Sequence, residues 1–119
     1  MIDFYGYDKC DTCRKARKWL DGRGVAYRAI PIVDRPPSGA LLKKILKAGD
    51  YELKQLFNTS GQVYRQMKVK DKLASMSTDE AVGLLSGHGK LCKRPIVTDG
   101  QRHTVGFRPE VFEAVWGGG

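Results

Sequence analysis

Between Met1 and Val33 the apolar residues change their spacing twice, and this constrains the fold more than any other feature of the chain. "MIDFYGY" alternates apolar positions and carries Phe and Tyr, which predicts a first strand. After a turn at Asp8 to Cys10, the residues Cys13, Ala16, Trp19 and Leu20 share one face of a helix running from Asp11 to Leu20. "DGRG" offers Gly22 or Gly24 as its stop. "VAYRAIPIV" predicts a second strand, with Pro31 at an edge or a strand end. Strand, helix and strand over this length make a βαβ unit.

The middle of the chain reads as helical. "RPPSGALLKKILKAGD" has Ser38 as N-cap, Gly49 as stop, and a stripe of Leu41, Leu42, Ile45 and Leu46. "YELKQLFN" and "VKDKLASM" predict short helices. "STDEAVGLLSGHG" opens with Ser77 and Glu80 in capping-box spacing. Two short strands follow, "RPIVT" and "TVGF", about a turn "DGQR". "RPEVFEAVW" closes the chain as a helix with Val111, Phe112 and Val115 facing inward. The order is β-α-β, a helical insertion, then β-β-α. That is an α/β chain on the thioredoxin-like plan, with a four-stranded mixed sheet. Residues 1–116 are expected to form one domain, and 117–119 a flexible tail.

At 119 residues the chain is long enough to bury a core without staples. Its 41% hydrophobic and 29% charged residues are an ordinary globular balance. No apolar run approaches the roughly 18 residues that span a bilayer, so no membrane association is expected. The first ten residues carry no basic n-region and no apolar h-region, the pattern expected of a cytoplasmic protein. A formal charge of +8 favours anionic partners such as oxyanions, glutathione carboxylates or an acidic protein face. The basic residues are spread along the chain without interleaved aromatics, so direct nucleic-acid binding is not expected.

Three cysteines are too few for a secreted disulfide scaffold. In a reducing compartment, Cys10-Asp11-Thr12-Cys13 can be a redox centre, half of a zinc site, or two small side chains that only pack. A zinc site would need two further ligands from Cys92, His88 and His103, and none of these stands at paired ligand spacing. Cys10 falls where a strand hands over to a helix, beside free N–H groups and the positive end of the macrodipole. Lys9, Arg14 and Lys15 add positive charge. These influences lower a thiol from its free value of roughly 8.5 and make Cys10 a nucleophile. Cys13, one turn on, is spaced to resolve a mixed disulfide.

Downstream, Pro95 begins the third strand and is the candidate for a cis peptide bond on this fold plan. Arg94 and Arg108 flank the paired strands and are expected to converge on Cys10. Arginine suits oxyanions and carboxylates because its planar fork donates two N–H bonds side by side. Cys92 reads as a small buried residue. Tyr5, Tyr64 and Trp19 read as core or rim aromatics. His88 and His103 fall in predicted loops and carry no role.

"IDFYGYDKCDTCRKARKWL", "LFNTSGQVYR", "KRPIVTDG" and "VGFRPE" together resemble the glutaredoxin-like arsenate reductase (ArsC)/Spx/YffB family over nearly the whole chain. The resemblance implies a thioredoxin-like domain with a helical insertion. It implies Cys10 as nucleophile on an anionic small molecule, with Arg14, Arg94 and Arg108 binding the anion. No bound cofactor is implied; glutathione is the co-substrate, with glutaredoxin or thioredoxin as partner. The family's third arsenate-binding arginine aligns with Asn58, and its histidine four residues before the nucleophile with Gly6. Cys13 stands where arsenate reductases often have another residue, which allows a Cys10–Cys13 disulfide. "KCDTC" and "LFNTSGQVYR" look closer to the YffB and Spx branches. The Spx branch implies an alternative, a redox-controlled regulator that binds the RNA polymerase α subunit. Arg108 in "GFRPE", absent from Spx, and the short chain after Trp116 lead us to expect an enzyme of the arsenate reductase type.

Overall fold

A computed structural model describes residues 2–117. Two compact units form, one from the residues up to Pro31 together with those from Arg94 onward, the other from Ile32–Lys93.

The first unit carries a four-stranded mixed sheet on the thioredoxin-like plan, in the order β2-β1-β3-β4. β1 (Ile2–Gly6) and β2 (Tyr27–Pro31) run parallel, with Phe4 opposite Ala29. β3 (Ile96–Thr98) is antiparallel to both β1 and β4 (His103–Val105). Alternation along β1 sends Phe4 into the core, fully buried. Pro31 ends the edge strand β2, where its missing N–H costs no ladder bond.

α1 (Asp11–Gly22) buries Cys13, Ala16 and Leu20 of the stripe read from the sequence, while its fourth member, Trp19, is half-buried against the same core. It ends in a Schellman turn. Gly24 takes φ +67°, its N–H donates to the Asp21 carbonyl, and the Val25 N–H donates to that of Leu20. α6 (Pro109–Trp116) starts with proline, whose absent donor is harmless at a first helical position. Phe112 and Trp116, one turn apart, are its buried residues, and Val115 packs against the same cluster. Val111 is only half-buried and does not join it. Phe4, Cys13, Ala16, Leu20, Val97, Phe112 and Trp116 make this core. Trp19 and Phe107 meet Phe112 edge-on, at 5.5 and 4.7 Å between ring centres. The Trp116 Nε1–H donates to the Thr104 hydroxyl at 3.0 Å, so its polar edge is satisfied.

His103 departs from expectation. It lies in β4 rather than a loop, is buried, and pairs across the sheet with Thr98, with 2.7 Å between Nδ1 and Oγ1. "TVGF" accordingly starts one residue early and stops at Val105, before Gly106 turns the chain at φ +79°.

The second unit is helical. α2 (Gly39–Ala48) is capped by Ser38, whose Oγ accepts from the Leu41 N–H at 3.1 Å, and stopped by Gly49 at φ +88°. A 3-10 turn at Leu53–Leu56 replaces the helix expected at "YELKQLFN". α3 (Gln62–Gln66) was not anticipated; it has no side-chain cap and one buried residue, Tyr64, so no stripe announces it. α4 (Val69–Leu73) and α5 (Thr78–Gly87) follow. At α5 the Ser77–Glu80 capping box forms in both directions. Of the expected tail, Gly117 closes α6 through its N–H to the Glu113 carbonyl, and residues 118–119 lie outside the described residues.

Candidate functional site

The turn from β1 into α1 places Cys10. Its N–H donates to the Tyr7 carbonyl at 3.1 Å, closing the turn, and its extended backbone (φ −100°, ψ 117°) makes it the N-cap of α1. Its carbonyl accepts from the Arg14 N–H at 3.1 Å, and its Sγ from the Cys13 N–H at 3.4 Å. The sulfur therefore sits where Ser or Asp oxygens usually cap a helix, against unpaired donors that favour negative charge.

The two thiols are held in opposite states. Cys10 is half-buried and Cys13 fully buried. At Cys10 burial is the largest single influence and opposes ionisation. It is outweighed by hydrogen bonds from the Cys13 N–H and thiol, and by the charge and N–H of Arg94, so its pKa is lowered from that of a free thiol. Burial pushes Cys13 up to about 12, reinforced by its hydrogen bond to Cys10 and by that group's negative charge. The half-buried sulfur is thus the one favoured as thiolate, and the buried one keeps its proton.

The arginines separate. Arg94 acts on the Cys10 sulfur, lies with Cζ 5.0 Å from the Tyr7 ring centre, and has a buried Nη1 with no hydrogen-bond partner. The Arg94–Pro95 peptide is cis, as the fold plan led us to expect, and the Pro95 carbonyl accepts from the Gly106 N–H at 2.8 Å. Arg14 instead pairs with Asp11, three residues earlier on the same helix. Arg108, the N-cap of α6, donates from Nε to Glu110 at 3.1 Å. Both pairs are exposed. Lys9 and Lys15 are exposed as well, and the charge of Lys15 acts on Asp11.

Cys92 belongs to the second unit, fully buried, with its thiol donating to the Leu85 carbonyl at 3.4 Å. Asn58 is tied there by its backbone, donating to the Leu91 carbonyl at 2.7 Å. Among the described residues no three His, Cys, Asp or Glu side chains are placed to hold a metal ion, and no helix is long and apolar enough to cross a membrane.

A family model described as the ArsC family matches residues 5–115. The chain belongs to the ArsC family. The uncharacterized protein YusI of Bacillus subtilis (strain 168) is 47% identical over 115 residues, covering 97% of this chain and 98% of YusI. A solved structure of a possible arsenate reductase from Streptococcus mutans UA159 is 42% identical. It covers 95% of this chain and 98% of that one, with a TM-score of 0.87. The global transcriptional regulator Spx of the same species is 28% identical over 114 residues, covering 96% of this chain and 82% of the regulator. The family therefore holds both reductase-like and regulator relatives, as the resemblance implied.

Proposed function

We propose that this ArsC-family chain is a thiol–disulfide oxidoreductase of the arsenate reductase type, with Cys10 as nucleophile, Cys13 as resolving thiol and Arg94 as the main anchor for an anionic substrate. The observation that supports this best is the contrast between the two sulfurs, one favoured as thiolate at a helix N-terminus and the other held as thiol one turn away. Thiol exchange needs that asymmetry, because attack requires a thiolate and resolution must wait until attack has occurred.

With a glutathione disulfide, the Cys10 thiolate attacks one sulfur, forms a mixed disulfide and expels the other glutathione as thiolate, which takes a proton from solvent. Loss of the negative charge on Cys10 removes one influence that keeps Cys13 protonated. Cys13 then gives up its proton and attacks the Cys10 sulfur, releasing the second glutathione thiolate. The two cysteines are left as a disulfide and have given two electrons to the substrate. With arsenate, Cys10 displaces one oxygen as water to form a thiol–arsenic(V) adduct. A second thiol then attacks the Cys10 sulfur; arsenic leaves as arsenic(III) and the two thiols as a disulfide.

Glutathione is then the co-substrate, glutaredoxin or thioredoxin the partner that restores the thiols, and the cytoplasm the setting. Arg14 and Arg108 would join Arg94 on the anion by releasing Asp11 and Glu110. Exposed ion pairs contribute only about 0–1 kcal/mol, so that exchange is cheap. The test is NADPH consumption with arsenate, glutathione, glutaredoxin and a coupling reductase, beside Cys10→Ser. Turnover lost in the variant supports the reductase; no turnover with arsenate or with glutathione disulfide contradicts it.

The relative that is a global transcriptional regulator supports a second reading, which the resemblance to the Spx branch makes specific: a redox-controlled regulator binding the RNA polymerase α subunit. On that reading the Cys10–Cys13 disulfide alters affinity. Purified protein should then retain the polymerase α domain in one redox state and turn over nothing.

A further inference from the structure

Arg94 differs from the other arginines of its unit in what holds it. Three arginines among the described residues lie over aromatic rings: Arg23 over Trp19 at 4.6 Å, Arg102 over Trp116 at 5.1 Å and Arg94 over Tyr7 at 5.0 Å. Arg23 is also paired with Glu113 at 2.6 Å, and Arg102 with Asp99 at 2.9 Å. Among the described residues no carboxylate pairs with Arg94, and its Nη1 is buried with its donor capacity unused. A buried guanidinium N–H without a partner is costly, and native structures seldom leave one without a reason.

A carboxylate would hold Arg94 more firmly, but it would neutralise the charge and occupy the planar N–H fork. An aromatic face attracts the cation through its quadrupole and consumes neither. The residue that supplies this face also supplies the carbonyl that receives the Cys10 N–H. One residue thus touches both the nucleophile's backbone and the cation beside its sulfur.

We propose that Tyr7 is the positioning residue of this site, its ring holding the Arg94 guanidinium beside Cys10 with its charge and N–H fork not spent on a carboxylate of the protein, for use on a substrate carboxylate or oxyanion. This rests on the reading of Arg94 as the substrate's anion anchor. Tyr7 touches no reacting atom; it acts through Arg94 and through the turn. A glutathione carboxylate and a tetrahedral oxyanion share the chemistry this fork recognises, and the two are told apart by which substrate responds.

The test compares Tyr7→Leu and Tyr7→Gln, which delete the ring face in different ways, with Tyr7→Phe, Arg94→Ala and the Tyr7→Leu/Arg94→Ala double variant. All keep the carbonyl that binds the Cys10 N–H, and circular dichroism checks the fold. Two quantities are read: the pH at which Cys10 becomes reactive to iodoacetamide, and KM and kcat with glutathione disulfide and with arsenate. Removing the ring should move the Cys10 titration upward, as Arg94→Ala should, and raise KM by about three- to thirty-fold. Tyr7→Phe should recover the wild-type values, and the double variant should be no worse than Arg94→Ala. Tyr7→Leu and Tyr7→Gln behaving as wild type while Arg94→Ala is impaired would overturn the role of Tyr7 alone. Tyr7→Phe failing as badly as Tyr7→Leu would also overturn it. Arg94→Ala matching wild type would overturn the anchor and the Tyr7 role with it.

Discussion

The Cys13 backbone N–H points at the Cys10 sulfur from 3.4 Å, so the main chain of the second cysteine caps the sulfur of the first. The helix that presents Cys13 is therefore the helix that stabilises the Cys10 thiolate.

Because the Cys13 thiol also donates to Cys10, removing it should make Cys10 harder to ionise. Cys13→Ala keeps the backbone bond and should raise the apparent pKa of Cys10, measured by thiolate absorbance or alkylation rate against pH. A fall or no change would contradict the assigned network.

The three candidate arginines should not contribute equally. Arg94→Ala removes a charged donor that already bears on Cys10 and should lower kcat/KM by about ten- to a hundred-fold. Arg14→Ala and Arg108→Ala remove groups that rest on Asp11 and Glu110, and should cost about threefold or less in the same assay.

Asp99 carries the turn between β3 and β4. Burial alone would raise its pKa, but N–H donation from Arg102 and Gln101, together with the Arg102 guanidinium, brings it down to about 2. A depressed carboxylate contributes stability that is fully present above its ordinary value of 3.8 and is lost as pH falls toward about 2. Denaturant titrations at stepped pH should show that loss in the wild type. Asp99→Ala should lower stability by about 1 kcal/mol near neutrality and flatten the acid limb.

Phe112 is fully buried between the edges of Trp19 and Phe107. Phe112→Ala should destabilise by about 3–5 kcal/mol through lost burial and an unfilled cavity, read from the denaturant midpoint.

What the sequence made legible was local. The α1 stripe of Cys13, Ala16, Trp19 and Leu20, with Trp19 half-buried, the Ser77–Glu80 capping box and the Gly24 and Gly49 stops depend on neighbours within one or two turns, and each formed. Together with the β-α-β and β-β-α order they were enough for the sheet. Features set by distant partners were not visible. His103 looks like a loop residue until β3 supplies Thr98 beside it. α3 has no periodic face to read, because Tyr64 alone is buried. Gly89 closes the segment "STDEAVGLLSGHG", where a glycine reads only as a helix stop, yet a Cβ there would collide with the Ile32 carbonyl oxygen, an approach only glycine permits. The juxtaposition of Cys10 and Cys13 at the start of α1 was readable from their spacing. Tyr7 was not, because its meaning comes from Arg94, at the far end of the sequence. Arg14 was read by its charge alone, although Asp11, one turn back, was there to claim it.

The most direct test is to expose three reduced variants, Cys10→Ser, Cys13→Ser and Cys92→Ser, to oxidised glutathione and map the adducts by mass spectrometry. The account predicts a stable mixed disulfide on Cys10 in Cys13→Ser, none in Cys10→Ser, and in Cys92→Ser release of glutathione with formation of a Cys10–Cys13 disulfide. A stable adduct on Cys13 or Cys92 in the Cys10→Ser protein, or an unreactive Cys10 in Cys13→Ser, would contradict it.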